Sequence, residues 1–231
     1  MPLAGRPMLA HAVEAMEANR CVTAVVVVAH PDALGATAKL LADEGFAKVV
    51  AVVAGGPTRQ ASVAAGLAAM PPGPTFLAVH DAARPLPGPG SVDRLLELLN
   101  AARSGAPEPL PSHRGTPLGS PEPLRPAGVV PGVPVVDTVR RVDGDQRSRG
   151  IVDRDQLRAV QTPQLFVREA LEAAHHRAML DGVEASDEAA LVELAGHPVQ
   201  VVPGSHENLK VTTAFDLLVA EALLNQRRRP T

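Results

Sequence analysis

A carboxylate and a guanidinium close an apolar run in Thr75-Phe-Leu-Ala-Val-His-Asp-Ala-Ala-Arg-Pro85. Phe76 to Val79 has the character of a short buried strand, and His80, Asp81 and Arg84 follow it at once. Ligands gather at the carboxyl ends of strands in open α/β sheets, so Asp81 and Arg84 suit a site that handles metal and phosphate. A second polar turn precedes this one. Gly55-Gly56-Pro57-Thr58-Arg59-Gln60-Ala61-Ser62 joins the strand Val49 to Ala54 to an alanine-rich helix. Gly55 and Gly56 let backbone approach a ligand closely, and a helix start presents free N–H groups with partial positive charge. Arg59 and Ser62 share one face of that first turn. The two turns together form one wall of a site for a phosphate compound. The plain alternatives are a strand–helix turn with a solvated Arg59 and a surface ion pair between Asp81 and Arg84.

Other polar residues carry less. His80 reads as a structural hydrogen-bonding group rather than a base. His175 and His176 are adjacent, so they point to different faces of a helix and make no metal pair; His30, His197 and His206 stand alone. Lys210 lies between a loop and a helix start, where Thr212 or Thr213 is a candidate cap. Gln161-Thr-Pro-Gln-Leu-Phe166 reads as a proline-directed loop. The Arg227–Arg229 run reads as a solvated tail.

The elements that must position these residues alternate. The β-branched run Val22 to Ala29 predicts a strand buried on both faces. A helix over about 32–44, the strand Val49 to Ala54, a helix over 59–70, the strand Thr75 to Val79 and a helix over 91–103 follow. Pro7 opens a further helix at the start of the chain. This order predicts an α/β fold with a mostly parallel sheet covered on both faces. The segment 106–126 is dense in proline and has no periodicity, so it reads as a disordered insert. β character resumes over 129–142, with a turn at 142–145. Helices are predicted over 167–180 and 186–194, the latter capped by Ser186, then a short strand over 198–202 and a helix over 213–225.

The chain has 231 residues, of which 45% are hydrophobic and 20% charged, enough for one domain with a real core. Its net charge of −3 gives no ground for bulk nucleic-acid or anionic-membrane binding. There is no Trp or Tyr for stacking on single strands. Cys21 is the single cysteine, which excludes an internal disulfide and a cysteine metal cluster. No apolar run has the length of a membrane span, and no signal peptide is apparent, so the expected location is the cytoplasm.

Order and spacing say more than any one motif. G-G-x-x-R-x-x-S at 55–62, H-D-A-A-R-P at 80–85, P-V-x-D-T at 134–138, V-D-R at 152–154, Q-T-P-Q at 161–164, D-E at 187–188 and N-x-K-V-T at 208–212 occur in that order. The set resembles the 2-C-methyl-D-erythritol 4-phosphate cytidylyltransferases of the non-mevalonate isoprenoid pathway, from about Leu3 to Leu224. The resemblance implies a Rossmann-like, glycosyltransferase-A-like nucleotidyltransferase fold in a homodimer. It implies cytidylyl transfer from CTP to methylerythritol 4-phosphate, with Mg²⁺ bound mainly through the CTP phosphates. It further implies that Gly55, Gly56 and Ser62 hold the cytosine, with Arg59 supporting the turn, and that Asp81 and Arg84 lie where nucleotide and acceptor meet. Thr138 and Arg154 would belong to an arm, about 132–155, that reaches the partner's site. Thr162, Ser186 and Lys210 would contact the acceptor, and Lys210 and Asp81 would be the catalytic pair. Alternatives on the same scaffold are an enzyme for ribitol 5-phosphate or another polyol phosphate, and an inactive paralogue that serves only as a dimer partner.

Several departures from the family's pattern stand out. The family opens with a strand and a Gly-rich loop, A-A-G-x-G-x-R and then P-K, which wraps the triphosphate. Pro2-Leu-Ala-Gly-Arg-Pro-Met-Leu9 looks like the piece that follows, so the strand and the loop's cations are expected to be missing and the activity impaired. Pro57 lacks the N–H that in the family helps read the cytosine ring.

Overall fold

The computed structural model describes residues 1–105 and 125–228. The predicted insert therefore lies outside the described residues, except for its last two. A short hairpin, β1 (Pro2–Leu3) and β2 (Arg6–Pro7), leads into α1 (Met8–Glu17). The units β3 (Val25–Ala29), α2 (Leu34–Glu44), β4 (Val49–Ala54), α3 (Arg59–Ala69) and β5 (Phe76–Val79) follow in strict alternation. Valine-rich stretches form the strands because branched side chains pack well on a pleated surface. Alanine-rich stretches form the helices because alanine loses no side-chain entropy there. Thr58 caps α3, its side chain accepting the N–H of Ala61, and Gly45 ends α2 in the left-handed conformation at φ 72°.

After α4 (Ser91–Ser104) come β6 (Gly128–Pro134), the hairpin β7 (Val139–Val142) and β8 (Ser148–Val152), then β9 (Arg158–Val160) and β10 (Gln164–Val167). The chain continues through α5 (Arg168–Asp181), α6 (Glu188–Leu194), β11 (Val199–Pro203) and α7 (Ala214–Arg227). The strands β11-β6-β10-β5 form one sheet in that order, with β9 on β6, while β3 and β4 pair parallel with each other. The sheet is mixed: β10 runs antiparallel to both β5 and β6. Of the loop expected at 161–166, Gln161 to Pro163 remain outside any strand, whereas Gln164 to Phe166 belong to this buried central strand. Its Leu165 faces Met16, Leu95, Leu99 and Val129, and its Phe166 faces Leu77, Leu171, Leu191 and Val192. Helices therefore cover both faces, as the α/β reading requires.

Between β3 and β5 the sheet is split. The two strands are not paired, and a cleft of about 650 Å³ separates them. Smaller corrections concern ends. The β character expected over 129–142 is divided between β6, which ends at Pro134, and β7, which begins at Val139. Asp187, not Ser186, caps α6: its carboxylate takes the N–H of Ala190 in extended backbone, which moves the helix start to Glu188. Arg227 is no solvated tail, since it closes α7 and pairs with Glu207 at 2.8 Å; residues 229–231 lie outside the described ones.

Candidate active site

The carboxyl ends of β4 and β5 carry the two polar turns, and the fold brings them together. Gly55 and Gly56 are required by close approach: a Cβ on Gly55 would stand 2.7 Å from Ser62 Oγ, and one on Gly56 2.6 Å from the Ala61 Cβ. Ser62 Oγ accepts the Gly56 N–H at 3.2 Å and donates to the Thr58 carbonyl at 2.9 Å. The turn is thus pinned to the first turn of α3, with Pro57 at its exposed tip.

Arg59, the first residue of α3, reaches away from this turn and bridges two carboxylates. Its Nη1 lies 2.8 Å from Glu188 Oε2, and its Nη2 lies 3.4 Å from Asp81 Oδ1. On the far side of Asp81, Lys210 Nζ donates to Oδ2 at 2.9 Å. The result is an alternating row, Glu188–Arg59–Asp81–Lys210, running from the interior to solvent. Glu188 is 1% exposed. Burial pushes its carboxyl pKa above the ordinary range, although Arg59 opposes the rise. Burial acts the same way on Asp81, but there Lys210 and Arg59 outweigh it and hold the carboxyl below its ordinary value. Asp81 is therefore an anion at neutral pH.

Three further elements lock the row in place. Thr162 Oγ1 accepts the Asp81 N–H at 3.0 Å and meets His80 Nδ1 at 3.1 Å. His80 Nε2 meets the Arg84 carbonyl at 2.9 Å, so both ring nitrogens are occupied, and burial pulls its pKa down to about 4. A neutral, doubly bonded imidazole is a brace, as the sequence suggests. Arg84 does not pair with Asp81. Its Nη1 donates to the Asn208 carbonyl at 2.7 Å and its Nη2 to the Val160 carbonyl at 3.3 Å, tying the loop before Lys210 to β9. Asn208 in turn donates to the Thr162 carbonyl at 2.8 Å.

Gly55, Gly56, Arg59, Ser62, Asp81, Thr162 and Lys210 thus converge at one end of the sheet. Ser186 is exposed just ahead of Glu188. Thr138 and Arg154 are exposed on the arm, where Arg154 bonds the Val136 carbonyl rather than the central row. Sequence reasoning assigned no role to Glu188, because an acidic residue in a first helical turn is ordinarily a solvated complement to the helix dipole. Nothing local marks it as buried. Among the described residues no three His, Cys, Asp or Glu side chains group into a protein-made metal site. Asp81, the carboxylate at the row's exposed end, fits a cation carried in on a phosphate ligand.

Known proteins agree with this architecture. The family model for 2-C-methyl-D-erythritol 4-phosphate cytidylyltransferase matches residues 1–113 and 122–226. A cytidylyltransferase of that name from Streptomyces avermitilis is 42% identical over 98% of this chain and 83% of its own. One from Synechocystis is 35% identical over 96% of this chain and 86% of its own. The crystal structure of the Thermus thermophilus enzyme is 33% identical and superposes with a TM-score of 0.72, covering 97% of this chain and 91% of that one. The alternatives of another polyol phosphate and of an inactive partner are not favoured by these relatives. With the family model covering both the row of charges and the Gly-Gly turn, the chain belongs to the 2-C-methyl-D-erythritol 4-phosphate cytidylyltransferase family, a family of nucleotidyltransferases of isoprenoid biosynthesis.

Proposed function

We propose that this protein joins CTP to 2-C-methyl-D-erythritol 4-phosphate at the Glu188–Arg59–Asp81–Lys210 row, giving 4-diphosphocytidyl-2-C-methyl-D-erythritol and diphosphate. The observation that carries the assignment is the pair of Lys210 and Asp81 at 2.9 Å, exposed beside the Gly-Gly turn. A phosphate oxygen of the acceptor forms a bond to the α-phosphorus of CTP. The bond from that phosphorus to the β-phosphate bridge oxygen breaks, and diphosphate leaves with the electron pair. The attacking phosphate is already ionised at neutral pH, so no general base is needed, in keeping with the doubly bonded His80. The work falls to placement and charge stabilisation.

Lys210 is the mobile cation: it turns from Asp81 to the reacting phosphates, while Arg59 keeps Asp81 from being left alone. Gly55, Gly56 and Ser62 offer a surface cleared of side chains for the cytosine. Thr162 and Ser186 flank the acceptor. Mg²⁺, when bound through the triphosphate with Asp81 nearby, supplies further neutralisation of the phosphate charge.

The protein works as a homodimer in the cytoplasm. The hairpin β7–β8 supports the dimer. A two-stranded hairpin is marginal alone, and this one leaves Val142 and Ile151 more than half exposed, with Val136 beside it. Such a surface fits a second copy, with Thr138 and Arg154 delivered to the partner's acceptor. The testing experiment follows product formation by mass, using protein isolated from its own cells with CTP, Mg²⁺ and either methylerythritol 4-phosphate or ribitol 5-phosphate. The expected product forms with the first acceptor. Equal or faster turnover of the second would overturn the substrate assignment.

A further inference from the structure

Gln60 stands next to Arg59 in the first turn of α3 and has no part in the row of charges. Its carboxamide reaches instead to the segment that joins α5 to α6. Gln60 Nε2 donates to the Val183 carbonyl at 3.0 Å, and Oε1 accepts the Ala185 N–H at 3.1 Å. One side chain thus engages the backbone of two residues, 123 and 125 positions away in sequence. A carbonyl on one side and an N–H on the other admit a single orientation of the amide.

The segment so held has no regular structure of its own. Helix α5 ends at Gly182, left-handed at φ 64°, and residues 183–187 belong to no helix or strand. Keeping such a stretch in one conformation costs chain entropy, which outside partners must offset. Two other contacts hold its far end. Gln164 Nε2 of β10 donates to Asp187 Oδ2 at 2.8 Å, and Arg59 meets Glu188 at 2.8 Å. Ser186 itself is exposed, but both of its chain neighbours, Ala185 and Asp187, are pinned. The same first turn of α3 also holds the Gly-Gly turn, where Ser62 Oγ accepts the Gly56 N–H at 3.2 Å. The Gly-Gly turn and Ser186 are therefore both referred to one rigid turn of helix.

We propose, on the reading that Ser186 flanks the acceptor, that Gln60 is a positioning residue for that substrate. Its carboxamide sets the distance between the turn that seats the nucleotide and the hydroxyl that meets the acceptor. Arg59 alone does not fix this distance, because its partner Glu188 lies beyond Ser186 on the α6 side. Gln60 supplies the second point, ahead of Ser186, and two points define where the hydroxyl stands. In-line displacement is sensitive to such placement, since an error of about 1 Å costs on the order of 100-fold in rate. Gln60 acts through Ser186 and not on the reacting atoms.

The test replaces Gln60 in the gene's own locus and isolates each protein from its own cells. Gln60→Met keeps the length and helix propensity of the side chain and removes both bonds; Gln60→Ala removes the stem as well. Steady-state kinetics with CTP, Mg²⁺ and methylerythritol 4-phosphate are measured alongside hydrogen exchange of the Ala185 amide. That amide should exchange at least about 10-fold faster in both variants. The kcat/KM for the acceptor should fall by roughly 10- to 100-fold, with its KM raised, while KM for CTP moves less than about twofold. Unchanged kcat/KM for the acceptor overturns the proposal, as does an Ala185 amide that exchanges at the parent's rate. An equal rise in KM for both substrates also overturns it, being the mark of a general loosening of the site. Absence of product from the parent protein is a separate failure: it removes the substrate assignment, and this proposal with it, before any variant is compared.

Discussion

Lys210 Nζ sits 2.9 Å from Asp81 Oδ2, a contact that closes 129 residues of sequence and joins the end of β5 to the loop before α7. The pair is partly open to solvent, with side-chain exposures of 45% for Lys210 and 19% for Asp81. An ion pair in that setting adds little to stability, so its value lies in keeping a cation at hand.

Lys210→Ala should accordingly reduce turnover by roughly 100- to 1000-fold, the usual effect of removing one charge-stabilising donor, while the melting temperature changes little. Asp81→Asn should also lose turnover, because it frees Lys210 and half of Arg59 from their fixed positions. Steady-state kinetics with thermal melts on the same samples checks both. Near-normal turnover in either variant would remove that residue from the catalytic row.

Glu188 gives a pH test of opposite sign to an ordinary carboxylate. Its folded pKa is raised, chiefly by burial. Such a group favours the folded state most fully below its unfolded pKa and loses that contribution as pH rises through the folded value. Asp81 is the reverse: its depressed pKa gives stability above the unfolded value, lost as pH falls through the folded one. Glu188→Gln removes only the first dependence. The variant's stability relative to the parent should therefore grow as pH rises from about 4 toward neutrality. Denaturant melts across that range measure it, and a difference that is flat or shrinks with pH would contradict the burial argument.

The 231-residue polypeptide should melt broadly. In the row, Arg59 and Lys210 are matched by Glu188 and Asp81, and Arg84 is held by two carbonyls. All three are held in place, and Lys210, at the row's exposed end, is the one free to turn toward a phosphate. The open cleft of about 650 Å³ exposes apolar lining, so an environment-sensitive apolar dye should bind to it. A sharp cooperative melt with no dye signal would count against this.

Much of this was legible in the sequence, for physical reasons. The valine runs of β3 and β4 and the Gly-Gly turn before Arg59 are local signals, fixed by side-chain branching and by the room a Cβ would need. Asp81 and Lys210 were legible through their motifs. What was not legible is tertiary. Gln164 to Val167 has too few residues to show a period, and it becomes a strand because β5 and β6 flank it. The bonds of Arg84 to the Asn208 and Val160 carbonyls are likewise tertiary, since their partners lie 124 and 76 residues away in sequence. Glu188 is buried against Arg59 of α3, 129 residues away, a relationship that no window of sequence contains.

Residues 107–124 should be dispensable. Their flanks meet without them: Arg103 of α4 donates to the Pro126 carbonyl at 3.0 Å, and the Ala127 N–H bonds the Pro198 carbonyl at 2.9 Å, which sets β6 beside β11. The register of β6 is held by these bonds and by its pairing with β10 and β11. Loop-closure entropy changes slowly with length, so replacing the segment by a short Gly-Ser link should alter stability by no more than about 1 kcal/mol. Melting and sedimentation of the deleted form should match the parent. Loss on deletion of the proposed dimer would place the segment in its interface.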